Sequence, residues 1–220
     1  MRTLEELDDA LDADLAWRRT ELHSLLSSIR VERGPAGDCL RRAGAALLYA
    51  HWEGYTKNAF ENYWKYVARR GLRYKELSFN FVALGIEREL TRNQGDGNIS
   101  KLIGRVRRIM ACHDDRALMS ARDIDMQSNL NSEVLSELFE KLGLDGSLLV
   151  TKHHFIDFSL LKNRNSIAHG EYLMLSVDAY TEAHTEVLNL MGSVRNIVSN
   201  AASTGQYRRV SMTPIPRASS

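Results

Sequence analysis

An all-α fold, an up-and-down helical bundle with helical insertions, is predicted by three features of this chain. Apolar residues recur at intervals of three and four over long stretches; no stretch alternates apolar and polar residues long enough to make a strand; and Pro35, Pro214 and Pro216 all fall in expected connections or tail. At 220 residues, 44% of them hydrophobic and 26% charged, the chain can bury a substantial core, and no linker interrupts the pattern. The expected organisation is one helical domain over residues 1–202 and a disordered tail over residues 203–220, where Ser, Thr, Gly, Pro and Arg dominate without apolar periodicity.

The elements follow in order. Leu4, Leu7, Leu11, Leu15, Leu22, Leu25 or Leu26, and Ile29 make the apolar stripe of a first helix, interrupted by Arg18 and ended by Gly34-Pro35. Asp38 can cap a second, long helix with its inner face through Leu40, Ala43, Leu47, Ala50 and Gly54 toward Trp64 and Val67, and Gly71 as its stop. Between Leu72 and Met126 the pattern weakens to a helix from Leu77 to Leu90, a turn over Asn93 to Asn98, and a helix from Ile99 to Met110. Asn131 can cap a helix from Ser132 to Leu142 that Gly143 closes. A further helix from about Thr151 turns Phe155, Ile156, Leu160 and Ile167 inward, and Ser176 can cap a last one through Tyr180, Ala183, Val187, Leu190, Met191, Val194, Val198 and Ala201.

A formal net charge of +1 excludes a protein that wraps nucleic acid by bulk charge, so any RNA contact must come from a local patch. The densest one is Lys101, Arg105, Arg107 and Arg108. It reads either as a solvated helix face or as a surface that steers phosphates, and spacing does not separate the two. Cys39 and Cys112 are too few and too far apart for a zinc ribbon or a disulfide framework, and read as small core residues in a reduced, cytoplasmic setting. The first residues lack a basic segment followed by an apolar one, and the longest aliphatic run, Ala45 to Ala50, is too short to span a bilayer, so neither secretion nor membrane insertion is expected.

The chemistry concentrates in Arg164-Asn165-Ser166-Ile167-Ala168-His169-Gly170. A permanently charged guanidinium forks onto phosphate oxygens, and an imidazole with an unperturbed pKa of ~6.5 exchanges a proton near neutral pH. These groups can cleave RNA without a metal. At ~100° per residue, Asn165 and His169 share one helix face while Arg164 lies ~140° from His169, so Arg164 must reach around or work with a second copy. No rival site stands out. His113, Cys112, His153 and His154 lack zinc-ligand spacing, and Asp114, Asp115, Asp123 and Asp125 read as turn and cap acids rather than magnesium ligands. No metal and no cofactor is expected.

The Arg-Asn-x-x-x-His string resembles the motif of the HEPN superfamily, whose catalytic members are metal-independent ribonucleases that pair their motifs across a homodimer interface. His51-Trp52-Glu53-Gly54-Tyr55-Thr56-Lys57 and Asn129-Leu130-Asn131-Ser132-Glu133-Val134-Leu135 extend the likeness over roughly residues 1–200, toward stand-alone HEPN-like nucleases of bacterial toxin and phage-defence settings. The resemblance implies attack of a ribose 2′-hydroxyl on the adjacent phosphorus, leaving a 2′,3′-cyclic phosphate and a 5′-hydroxyl. His169 is then the general acid or base, Arg164 binds the nonbridging oxygens, and Asn165 orients His169 or touches substrate. It also implies an RNA substrate, a homodimer with a composite site, and an antitoxin or other regulatory protein to restrain cleavage. The alternative is a noncatalytic HEPN-like RNA-binding or protein-interaction module.

One feature departs from the family. HEPN toxins paired with a nucleotidyltransferase antitoxin usually carry a Tyr two places after the His, whereas Tyr172 stands three places after His169. Tyr172 then reads as a rim or core aromatic. Glu53 and Lys57, four apart, read first as an ordinary helix ion pair and second as groups that orient Arg164 or His169. Lys101, Arg105 and Arg108 are the candidate RNA contacts.

Overall fold

The computed structural model of the chain describes residues 1–91, 99–119 and 129–209. Helix α1 (Leu4–Val31) starts where the Thr3 side chain accepts the Glu6 N–H, with Glu5 and Glu6 in the first turn facing the positive end of the helix dipole. Its stripe emerges as the spacing predicts, with Leu7, Leu11, Leu15, Leu22, Leu26 and Ile29 buried. Helix α2 (Gly34–Arg69) follows almost at once. Gly34-Pro35 therefore opens α2 rather than forming a separate stop, because a proline in the first turn gives up only an N–H that has no helical partner. Asp38 pairs with Arg41 inside that helix instead of capping it.

The inner face expected for α2 is displaced. Ala43 and Ala50 are exposed, while Gly44, Ala45, Leu48, Tyr49 and Trp52 are buried. The cause is its central position. At 36 residues α2 runs about 54 Å at ~1.5 Å per residue, and α1, α8 (Val177–Thr204), α7 (Lys162–Ala168) and the turn before α7 all pack on it. No residue from His51 to Val67 is fully exposed, so a single stripe cannot describe it. At Gly44 the three long helices come closest: an added Cβ would lie 2.7 Å from Tyr180 Cε2 and 3.0 Å from Ile29 Cδ1. Trp52, Tyr55, Phe60, Tyr63 and Trp64 share one buried cluster with Val187, Leu190, Met191, Val194 and Val198 of α8, Phe60 meeting Phe139 edge-on and Trp64 stacking on Phe81. Each such side chain contributes about 1.5–3 kcal/mol on burial.

The remaining elements flank this core. A 3-10 turn, Tyr74–Glu76, leads to α3 (Phe79–Thr91); α4 (Ile99–Ala111) runs into a second such turn, Cys112–Asp114. Helix α5 (Ser132–Leu142) has Asn131 as its cap and left-handed Gly143 as its end, as its sequence predicts. The single helix expected from Thr151 is broken. A one-turn α6 (Ser147–Val150) is followed by a π-helical turn, Phe155–Leu161, in which the Lys162 N–H reaches back five residues to Asp157 O, and this continues directly into α7. Within the π turn, the Asp157 carboxylate accepts the Ser132 N–H (2.8 Å) and hydroxyl (2.5 Å) at the start of α5.

Two further expectations are corrected. Cys39 is exposed and Cys112 only partly buried, because both lie on outer surfaces of their elements. The tail does not begin at Ser203: Ser203 and Thr204 belong to α8, left-handed Gly205 closes it, and Tyr207 is 3% exposed. Tyr207 O accepts the Ser78 N–H (2.8 Å) and the Arg209 N–H donates to Glu76 O (2.9 Å), so packing extends through Arg209. Residues 210–220 lie outside the described residues. Among the described residues there is no strand, only two isolated bridges, and no helix is long and apolar enough to cross a membrane.

Polar side chains also join α1 to its neighbours. Arg18, which breaks the α1 stripe, bonds Asp14 (3.1 Å) and stands 3.4 Å from His51 Nδ1. His184 of α8 is 3% exposed, with its ring edge-on to His23 at 5.0 Å. Burial, then the nearby His23 and Arg30 charges, holds His184 below the ordinary histidine range; burial does the same to His51 despite Glu21. A depressed folded-state value means that the stabilisation is complete above the unfolded value of ~6.5 and is lost as pH falls through the folded one. Urea unfolding should therefore show a lower midpoint at pH 5.5 than at pH 7.5. His184→Gln should shrink that difference, and an undiminished difference would contradict the assignment.

Candidate active site

The motif lies where α7 meets α2. Arg164 is half-buried, and a single nitrogen, Nη1, anchors it: it donates to Asn165 Oδ1 (2.9 Å) and to Asn129 Oδ1 (3.1 Å). The guanidinium carbon lies 5.2 Å from the centroid of the Tyr49 ring, on the α2 side of the site. Nε and Nη2 of Arg164 have no partner among the described residues. That leaves one edge of the fork to accept a phosphate.

Asn129 holds a left-handed backbone, φ +72°, a conformation that asparagine tolerates better than most residues. Its geometry is imposed from α2. Glu53 Oε1 accepts the Asn129 N–H (3.1 Å), the Leu130 N–H (3.2 Å), the Lys57 ammonium (3.0 Å) and the Tyr49 hydroxyl (3.3 Å). Burial, then the Glu53 charge, pushes the Tyr49 hydroxyl well above its ordinary value, so it stays protonated and donates. A closed circuit results: Glu53 fixes Asn129 and Tyr49, and these two fix Arg164.

His169 stands apart from that circuit. It is the C-cap of α7; Gly170 follows at φ +77°, the Gly170 N–H bonds Ile167 O (3.1 Å), and the Glu171 N–H bonds Ser166 O (2.8 Å). These two bonds end the helix sharply at a position where a residue with a Cβ would be strained. The His169 ring is exposed and no side-chain hydrogen bond holds it among the described residues. Asn165 precedes it by one helical turn, with Asn165 O accepting the His169 N–H (2.9 Å).

The structure thus links Arg164 and Asn165 to Glu53 through Asn129 and Tyr49, and leaves the His169 ring outside these side-chain hydrogen bonds. Glu53 and Lys57 form the expected ion pair, but Glu53 reaches Arg164 only through Asn129 and Tyr49, and Lys57 touches neither Arg164 nor His169. Tyr172 is 71% exposed, with the Arg42 guanidinium 5.8 Å from its ring centroid. Arg42 and Arg41 pin the segment after the motif through Glu171 O (2.9 Å) and Leu175 O (2.6 Å). The side chains of Lys101, Arg105 and Arg108 lie outside the described residues; Arg107 is exposed. Among the described residues, no group of three or more His, Cys, Asp or Glu side chains is arranged to hold a metal ion. Asp123 and Asp125 lie outside the described residues.

Sequence reasoning does not single out Asn129 or Tyr49. The pair Asn129-x-Asn131 ahead of a helix reads as capping, and Asn131 does cap α5, accepting the Val134 N–H at 2.7 Å. The one signal in the sequence is a second asparagine where one suffices for the cap.

A helical bundle that ends a short helix in Arg-Asn-x-x-x-His, packed on a central helix with a Glu-x-x-x-Lys pair beside it, has the build of a HEPN domain. The HEPN_MAE_28990-like HEPN family model matches residues 7–207, and the chain belongs to that family. Neither the curated proteins nor the solved structures contain a significant match. Membership points to a ribonuclease or an RNA-binding module.

The circuit makes unequal demands on Glu53 and Lys57. Removing the carboxylate leaves the buried Leu130 N–H without its acceptor, at about 1–3 kcal/mol, whereas losing the part-exposed Lys57 removes an ion pair worth about 1 kcal/mol or less. Urea unfolding should show Glu53→Ala clearly more destabilised than Lys57→Ala. Equal, small losses would reduce Glu53 to an ordinary ion-pair member.

Proposed function

We propose that the protein is a metal-independent endoribonuclease, acting by attack of a ribose 2′-hydroxyl on the adjacent phosphorus to leave a 2′,3′-cyclic phosphate and a 5′-hydroxyl. The observation that carries this reading is the Arg164 guanidinium, anchored through Nη1 alone with its Nε and Nη2 edge unengaged. It is oriented by two amide oxygens and an aromatic face, none of which neutralises its charge. It grips the nonbridging oxygens and offsets charge that grows on them in the transition state.

His169 supplies the proton transfer. Exposed at the helix end, it can meet a ribose hydroxyl or a leaving oxygen without first being released from a partner. Arg164 is held toward α2 and residue 129 while His169 caps α7 in the open, which supports drawing the two groups from different copies. A homodimer in which two motifs face a shared cleft completes the site, and Asn165 keeps Arg164 in register. Cleavage of cellular RNA by such a site is toxic, which fits a toxin or phage-defence effector restrained by an antitoxin or another regulatory protein.

The unbonded His169 ring favours a second reading, a noncatalytic RNA-binding module, since catalytic imidazoles are commonly oriented by a hydrogen bond. One experiment separates the two. The nuclease reading expects purified protein to cut RNA in the presence of a chelator. It expects Arg164→Ala and His169→Ala each to lower the rate at least ~10²-fold, and the cut ends to carry cyclic phosphate and 5′-hydroxyl. Full activity in His169→Ala, or 3′-hydroxyl ends, would contradict it.

A further inference from the structure

Arginines from five chain segments gather at the end of the bundle remote from Arg164. Arg70, the C-cap of α2, donates from Nη1 to Arg2 O (3.1 Å), lies 4.7 Å over the Tyr66 ring, and places Nε 3.5 Å from the Tyr207 hydroxyl. Beside it, Arg208 covers Tyr207 (5.6 Å) and Arg209 covers Phe79 (4.5 Å). Arg73 and Arg116 meet in an isolated antiparallel bridge, and the Arg116 guanidinium lies against Gly71. Arg69 is exposed at the last residue of α2. Helix α4, with exposed Arg107, runs into Cys112–Asp114, which packs on Tyr74–Glu76 at this same end.

Among the described residues none of these arginines forms an ion pair, whereas Arg18, Arg41 and Arg195 elsewhere do. Of the nearby acids, Asp114 is paired with Lys75 and Glu6 with the first amine (3.7 Å), Glu76 accepts the Arg73 N–H (2.8 Å), and Asp115 is exposed beside Arg116. Burial raises the Tyr207 hydroxyl, yet hydrogen bonds from Arg70 and Arg208 bring it below its ordinary value. Arg209 Nε is buried without a partner. In a chain of net charge +1, such a concentration is a local surplus rather than a reflection of overall composition.

We propose that this arginine-rich end is a second RNA-binding surface, which grips the phosphate backbone of a strand whose scissile linkage lies at Arg164. It rests on RNA being the substrate class of that motif. Guanidinium forks match phosphodiester oxygens in pairs, and aromatic faces hold three of these cations in fixed positions. They spread over a surface instead of converging on a pocket, which suits an extended polyanion rather than a small anion. Arg69 lies 20 residues beyond Tyr49 on α2, about 30 Å at ~1.5 Å per residue. A stacked strand rising roughly 3.4 Å per nucleotide spans that with on the order of nine nucleotides. Short RNA can reach one site only, so the surface selects for length.

The test uses full-length His169→Ala protein, to separate binding from cleavage, with and without Arg69→Ala, Arg73→Ala and Arg208→Ala. The probes are a fluorescent oligouridylate of 30 nucleotides, one of 4 nucleotides, and phosphatidylserine vesicles. The triple variant should bind the 30-mer at least ~10-fold more weakly with a log–log salt slope smaller by about 2–3, and should leave the 4-mer unaffected. Arg30→Ala with Arg33→Ala, on another surface, should change neither. Should the triple variant unfold, the exposed single change Arg69→Glu carries the same comparison. Equal 30-mer affinity, or a loss confined to vesicle binding, would overturn the proposal. Wild-type protein that binds long RNA through this face but never cuts it would remove the nuclease reading and the scissile linkage with it, while the arginine-rich end would stand as an RNA-binding surface.

Discussion

A single carboxylate oxygen, Glu53 Oε1, holds the candidate site together. Four donors converge on it from α2 and from the chain just before α5. A partly buried carboxylate is costly to desolvate unless its lone pairs are satisfied, and this one is satisfied by groups that themselves need acceptors. The bond to the Asn129 N–H keeps that residue left-handed, so that its side-chain oxygen meets Arg164. Asp157 performs a parallel task from the π turn, holding the first residue of α5. The start of α5 is thus tied both to α2 and to the helix that bears the motif. Rigidity at Arg164 follows from tertiary hydrogen bonds rather than from the short helix α7, which at seven residues has little stability of its own.

The aromatic core makes that arrangement possible. Trp52, Tyr55, Phe60, Tyr63 and Trp64 are buried in the core around α2, Phe60 against Phe139 of α5 and Trp64 against Phe81 of α3, and the same helix carries Tyr49, Glu53 and Lys57. Core packing and the contacts of Glu53 thus share one helix. The motif itself is held asymmetrically. Arg164 is gripped from two elements, whereas His169 sits at a helix end shaped only by local backbone bonds to Ile167 and Ser166. In the proposed reaction this division is useful: the cation must be preorganised, while the proton carrier must reach a hydroxyl delivered by substrate or by a second copy of the chain.

Much of the fold is legible in the amino-acid sequence. The stripes of α1 and α8, the Asn131 and Ser176 caps and the Gly143 stop all depend on local spacing and capping chemistry, which sequence displays directly. The α2 face is not legible, because a helix covered on several sides has no stripe. The π turn is hidden because Phe155 to Leu161 carries the same apolar spacing as an α-helix. Packing of Tyr207 escapes the pattern because one aromatic in a polar segment has no period. At the site, Arg164, Asn165 and His169 stand out as a motif, and Glu53 with Lys57 as a pair, but Asn129 does not, since its role depends on a contact 35 residues away in sequence. The arginine-rich end is hidden for the same reason: its members are scattered from Arg69 to Arg209 and only folding assembles them.

The central claim is that one guanidinium and one imidazole, drawn from two copies of the chain, act on one RNA linkage. The most direct measurement is cleavage by a heterodimer that pairs an Arg164→Ala subunit with a His169→Ala subunit, isolated through two different affinity tags. The account predicts that each variant alone is inert and that the heterodimer regains chelator-resistant cleavage. A heterodimer as inactive as its parents, or a wild-type protein that cuts RNA as a monomer, would contradict it.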